Sequence, residues 1–177
     1  MHSVGIFLGY GDISFANEKT FPIGFSSSSY SIATGDFNND TFLDIVIVSS
    51  GSNNIDIFLG YGNGSFMKQP TCLTDSSSLS VAVGDFNNDL ILDIIVAFYD
   101  TNNIGILLGY GNGTFANTFL IALEYNSHPV LVLVSDFNND RKLDFAVVNN
   151  GSESLQIFLQ TCYFFLCTSS ILIKCIN

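Results

Sequence analysis

Two short strings recur along this chain with one shared period, and that period decides what it can fold into. Asp-Phe-Asn-Asn-Asp begins at residues 36, 85 and 136, at intervals of 49 and 51 residues. Gly-Tyr-Gly begins at residues 9, 60 and 109, at intervals of 51 and 49. Two unrelated markers locked to one spacing mean that a single structural unit is repeated. A unit of about 40–50 residues built from short strands is the sequence mark of a β-propeller blade.

Within one period the pattern predicts four strands. Residues 30–35 (YSIATG) alternate and lead into the acidic string. Residues 43–49 (LDIVIVS) are rich in β-branched side chains, as in a strand buried on both faces. GSNN at 51–54 is turn chemistry, and residues 55–61 (IDIFLGY) form the third strand. Asn63-Gly64 is expected to close a hairpin through a type I′ turn, which needs positive φ at both central residues. A fourth strand runs from 65 towards Cys72, before a Ser-rich turn at 75–78. The next period gives strands at 79–84, 92–98, 104–110 and 114–123, and the third at 129–135, 143–148 and 155–159. Aligning Gly-Tyr-Gly makes residues 4–10 the third strand of an earlier unit.

The expected class is therefore all-β: a β-propeller of four-stranded antiparallel blades in a partial ring of about three and a half blades. The partial blade occupies 1–25, and the repeats 26–75, 76–125 and 126–160. After Leu159 the third period reads Gln160-Thr161-Cys162 in place of Gly-Tyr-Gly, so 161–177 is read as a non-repeat apolar tail. Residues 157–173 carry no charge, yet Gln160, Thr161, Thr168, Ser169 and Ser170 interrupt them, so a membrane span is not expected. Ring closure calls for further blades than these.

The acidic string carries the chemistry. Asp36, Asn38, Asp40 and Asp44 place oxygen-bearing side chains at loop positions 1, 3, 5 and 9. Asp85, Asn87, Asp89 and Asp93 repeat this, as do Asp136, Asn138, Asp140 and Asp144. The position-7 carbonyls of Phe42, Ile91 and Lys142 can join them. Such alternation in a tight loop assembles a hard-oxygen cage of the kind Ca²⁺ takes, one ion per loop and three in all. Nine of the 16 acidic residues lie in these loops, and three divalent ions would bring the formal charge from −11 to −5. The bland alternative is that Asp and Asn are simply good turn residues. An EF-hand is excluded, because the twelfth residue from Asp36 is Ile47 and the flanks are strand-like.

Other function classes fall away. With 47% hydrophobic and 12% charged residues the chain can pack a core, which argues against disorder. Five basic against 16 acidic residues leave no electrostatic route to nucleic acid or anionic lipid. Gly60-Tyr61-Gly62-Asn63-Gly64 lacks the helix and spacing of a nucleotide loop. His2 and His128 read as surface or turn residues, and neither a Gly-x-Ser-x-Gly elbow nor a Cys/His pairing offers a nucleophile. Cys72, Cys162, Cys167 and Cys175 show no zinc spacing and are too clustered to frame a fold with disulfides. Residues 1–10 do not read as a secretory signal. Asn-x-Ser/Thr sequons stand at Asn39, Asn63, Asn112 and Asn150.

Through D-x-N-x-D-x-x-x-D followed at once by an apolar strand, as in 36–49, the chain resembles the FG-GAP or VCBS-type repeats of the integrin α propeller and of many secreted proteins. The resemblance runs from Val4 to about Leu159. It implies four-stranded blades with one Ca²⁺ per inter-strand loop, and a scaffold that presents loops on one face to a ligand. The family usually has Gly at loop positions 4 and 6, where this chain has Asn39 and Thr41, Asn88 and Leu90, Asn139 and Arg141. If those positions need a left-handed backbone, Thr, Leu or Arg there costs about 1–2 kcal/mol each. The expected role is a non-catalytic, calcium-binding module for an extracellular or cell-surface protein or glycan ligand. The alternatives are an accessory propeller of a larger secreted enzyme whose catalytic part lies elsewhere, and a truncated product without a role of its own.

Overall fold

The computed structural model describes residues 2–24, 29–50, 53–70, 72–73, 77–160 and 168–174. Every element in them is a strand, and all strands pair antiparallel. The first sheet joins β1 (His2–Ile6) to β2 (Lys19–Gly24). A second holds β3 (Ser29–Gly35), β4 (Asp44–Ser49), β5 (Asn54–Gly60) and β6 (Phe66–Lys68), with β7 (Cys72–Leu73) also on β5. A third runs β8 (Ser78–Gly84), β9 (Asp93–Phe98), β10 (Asn103–Leu107), β11 (Phe119–Ala122). The fourth is β12 (Pro129–Ser135), β13 (Asp144–Asn149), β14 (Ser154–Gln160), β15 (Thr168–Lys174).

Within each sheet the strands lie side by side in chain order, and the register repeats with the sequence. Ala33 faces Val46, Ala82 faces Ile95 and Leu133 faces Ala146. A register shift falls at the same place in all three first pairs, at 29/31, 78/80 and 129/131. A bulge kept in register is part of the unit, since it sets where the first strand bends.

Three expectations need correction. The fourth strand predicted from 65 to 72 is split into β6 and β7, with Pro70, which has no N–H for the ladder, between them. The type I′ turn at Asn63-Gly64 does not form. Gly62 and Gly64 have φ of 71° and 74°, and Gly111 and Gly113 of 70° and 81°, but Asn63 and Asn112 are not left-handed. Each apex is instead a wider turn closed from Tyr61 N–H to Ser65 O (3.1 Å) and from Tyr110 N–H to Thr114 O (3.0 Å). Nor does the tail stand wholly apart: Thr168–Lys174 pairs along β14 without a break, from Gln160↔Thr168 to Ser154↔Lys174. The predicted turns at 51–54 and 75–78 lie partly outside the described residues, and Cys162, Cys167 and Cys175 wholly so. No helix among the described residues is long and apolar enough to cross a membrane.

The sheets stack face to face, and alternation along each strand assigns its side chains to two different cores. In β4, Ile45 and Ile47 pack with Val4, Ile6 and Phe21 of the first sheet. Val46 and Val48 point the other way, onto Val81, Ile94, Val96 and Phe98 of the third. Ile95 and Ala97 then meet Val132, Phe145 and Val147 of the fourth. Strands β4 and β9 are therefore buried along their whole length, while the far face of the fourth sheet leaves Leu131, Leu133 and Val148 exposed.

Burial of this kind sets the cost of truncation. Ile57→Ala, at a side chain only 1% exposed, should lose about 3 kcal/mol in urea unfolding, and Leu133→Ala, at 55% exposed, less than about 1 kcal/mol. Equal losses would contradict the stacking.

Candidate functional site

Each acidic loop connects the first strand of a sheet to the second. Its backbone is folded by its own side chains. Asp36 accepts the N–H of Asp40 on Oδ1 (3.1 Å) and of Thr41 on Oδ2 (2.8 Å). Asn38 Oδ1 accepts the Asp40 N–H (3.2 Å), and Asp40 Oδ1 accepts that of Phe42 (2.9 Å). The Asn38 amide donates to Asp40 Oδ2 (2.9 Å). All five bonds recur at 85–91 and at 136–142.

This winding needs a left-handed backbone at positions 4 and 6. Asn39 and Thr41 have φ of 59° and 72°, Asn88 and Leu90 of 61° and 68°, Asn139 and Arg141 of 59° and 67°. Asn tolerates that region, whereas a β-branched Thr, a Leu or an Arg is strained there.

The position-9 carboxylates of Asp44, Asp93 and Asp144 are fully buried beneath their loops. Asp44 Oδ2 accepts the N–H of Phe37 (2.7 Å), and its Oδ1 that of Gly60 (2.8 Å). Asp93 does the same with Phe86 and Gly109 (both 2.9 Å), and Asp144 with Phe137 (2.9 Å) and Gln160 (2.8 Å). One side chain thus ties the start of the loop to the end of the third strand, 16 residues on. Burial pushes the Asp93 carboxyl up to about 6, opposed by the Gly109 and Phe86 N–H groups and assisted by the Asp89 and Asp85 charges. Burial raises Asp44 in the same way.

The first glycine of Gly-Tyr-Gly is part of this arrangement, a role that sequence reading did not give it. A Cβ at Gly60 would stand 2.2 Å from the Leu43 carbonyl oxygen, and one at Gly109 2.3 Å from that of Leu92. The constant 16-residue interval from the buried Asp was the available signal. In the third repeat Gln160 fills this place and adds a bond of its own, from Nε2 to the Phe86 carbonyl (2.8 Å). The corresponding Phe37 carbonyl takes the backbone N–H of Gly113 (2.9 Å). In both cases loop position 2 of one repeat is joined to the next sheet.

The predicted ligands are thus brought together in two tiers: positions 1, 3 and 5 bond to one another around the loop, and position 9 lies below. Phe42 at position 7 is exposed, and Ile91 and Lys142 are half-buried, Lys142 reaching Asp140 Oδ2 (3.2 Å). Among the described residues no three His, Cys, Asp or Glu side chains are grouped as a metal cage. The donor chemistry nonetheless fits a hard cation. Every donor is oxygen, and a carboxylate oxygen already holding one N–H keeps a second lone pair. The Asn38-to-Asp40 bond and its two counterparts are the contacts an ion would displace.

The FG-GAP-like repeat model matches residues 43–96 and 85–147, more than half of the chain. The chain belongs to the family of FG-GAP-like repeat proteins. No curated protein matches it.

Two outcomes follow for ion-free buffer. Thr41→Gly relieves a strained φ and should raise stability by about 0.5–1 kcal/mol in urea unfolding, while Asn39→Gly stays within about 0.5 kcal/mol. Asp93 holds its proton to about 6 when folded against 3.8 as the reference, so the native state binds the extra proton between these values. Its contribution to stability therefore falls as pH rises through that window and levels off above it. The Asp93 carboxyl carbon should titrate near 6 by NMR, and a midpoint near 4 would contradict its burial.

Proposed function

We propose that this chain is a calcium-binding β-propeller segment of about three and a half blades, acting as a non-catalytic binding or adhesion module outside the cell. The propeller reading is supported by the stacking: β3 packs beside β8 and β8 beside β12, so the first strands of successive sheets adjoin. The observation that carries the calcium reading is that all three loops share one winding, left-handed at positions 4 and 6 despite the residues there. The same winding gathers the oxygen-bearing side chains of positions 1, 3 and 5 in every repeat.

Asp36, Asn38, Asp40 and Asp44 with the Phe42 carbonyl would hold the first ion. Asp85, Asn87, Asp89 and Asp93 with Ile91 would hold the second, and Asp136, Asn138, Asp140 and Asp144 with Lys142 the third. Bound there, a divalent ion offsets the repulsion of three nearby carboxylates. Strain at position 6, at Thr41, Leu90 and Arg141, points to binding in the ~10⁻⁴–10⁻³ M range of extracellular modules, which supports a calcium-rich compartment. The exposed Tyr10, Tyr61 and Tyr110 recur at equivalent points of the hairpins and offer aromatic contacts to a protein or glycan ligand.

Thermal unfolding in millimolar Ca²⁺ and in chelator tests this. At ten times Kd each site adds about 1.4 kcal/mol, so the midpoint should rise clearly. The rise should vanish in the Asp40→Ala/Asp89→Ala/Asp140→Ala variant. An unmoved wild-type midpoint, or a rise that survives the triple variant, would contradict the reading.

A further inference from the structure

The hairpin apex is built three times from one turn, and its three versions differ in a single atom that matters chemically. Tyr10 N–H donates to Ser14 O (3.0 Å), as Tyr61 does to Ser65 and Tyr110 to Thr114. Inside each turn an acceptor oxygen takes the backbone N–H two residues on: Asp12 Oδ1 from Ser14 (3.1 Å), Asn63 Oδ1 from Ser65 (3.0 Å) and Asn112 Oδ1 from Thr114 (3.0 Å). The same oxygen also accepts the hydroxyl of that Ser or Thr. Asp12 shows that a carboxylate satisfies the turn completely, so the amide nitrogen of Asn63 or Asn112 is not required by it. Both Asn side chains are exposed, while Gly64 and Gly113 next to them are buried against Leu8 and Leu59.

An exposed carboxamide whose oxygen is held by a hydroxyl two residues on is a poised acceptor for asparagine-linked sugar. We propose that Asn63 and Asn112 are N-glycosylated, and that the other two sequons are not. Nδ2 attacks the anomeric carbon of a lipid-pyrophosphate-linked oligosaccharide. A C–N bond forms and the anomeric C–O bond breaks; one Nδ2 proton passes to the transferase, and the lipid pyrophosphate leaves. Oδ1 keeps its bond to the Ser65 or Thr114 N–H, so the turn survives substitution. Asn39 is different: its Nδ2 lies only 2.8 Å from where a Cβ on Gly111 would stand, and Thr41 N–H is committed to Asp36. At Asn150 the hydroxyl of Ser152 is paired with Ser154 (2.8 Å).

This rests on the extracellular reading only for the route by which the chain meets the transferase. The test is the full chain behind a cleavable secretory leader in eukaryotic cells, with glycopeptides mapped by mass spectrometry on cells and medium together. The expected result is sugar at Asn63 and Asn112 with Asn39 and Asn150 bare. Asn63→Asp and Asn112→Asp, which keep the turn oxygen, should each lose one glycan without loss of folding. Asp12→Asn, which completes Asn-Ile-Ser, should gain a third. Bare Asn63 and Asn112, sugar at Asn39 or Asn150 instead, or no gain in Asp12→Asn would overturn the proposal. The calcium response of the same preparation is scored separately: both glycans without a calcium shift would remove the calcium reading alone, and a shift without glycans this one alone.

Discussion

A carboxylate removed from water is costly unless its oxygens are bonded, and this fold places one such group under every acidic loop. Asp44, Asp93 and Asp144 each spend both oxygens on backbone N–H groups, one at the start of the loop and one 16 residues later. The bond makes loop and hairpin a single unit and fixes the height at which Asp36, Asn38 and Asp40 sit above the sheet. Because the donors are backbone, the side chains at the donor positions are chosen by space alone. Gly60 and Gly109 stand where a carbonyl passes too close for a Cβ. Gln160 shows that the third repeat opens enough to admit one.

From that anchor the rest propagates as in other repeat proteins, where each unit touches only its neighbours. Even and odd residues of β4 and β9 feed two separate cores, so neither strand has a solvent side. The hairpin of one sheet then packs on the sheet before it, Gly64 against Leu8 just past β1 and Gly113 against Leu59 of β5. At the first unit this partner is missing among the described residues. Ile13, which occupies the glycine's place with φ of 66°, is 99% exposed.

Much of this was legible in the sequence. The two markers gave the period, and runs such as 43–49 gave strands buried on both faces, because burial on two sides removes polar alternation. The possibility of left-handed strain at Thr41, Leu90 and Arg141 could be stated from residue type, but only the backbone shows that the loop requires it. Two things were hidden for physical reasons. Asp44 and Asp40 are the same residue type, so nothing local separates a buried structural carboxylate from a loop one; only the distant Gly60 does. Residues 168–174 are not preceded by the Gly-Tyr-Gly that leads into the other fourth strands, and pairing with β14 uses backbone groups that any sequence carries. Asn63 misled because Asn-Gly is a strong type I′ signal, yet here its side chain folds the turn from within.

The anchoring carboxylates are tested most directly by amide hydrogen exchange at Phe37, Gly60, Phe86 and Gly109. None of these amides belongs to the middle of a paired strand, so without the buried Asp they would exchange as loop or edge positions do. The account predicts protection equal to that of Val46 and Val96 in the core strands, lost at Phe86 and Gly109 alone in Asp93→Ala. Rapid exchange at these four amides in the wild-type protein would contradict it.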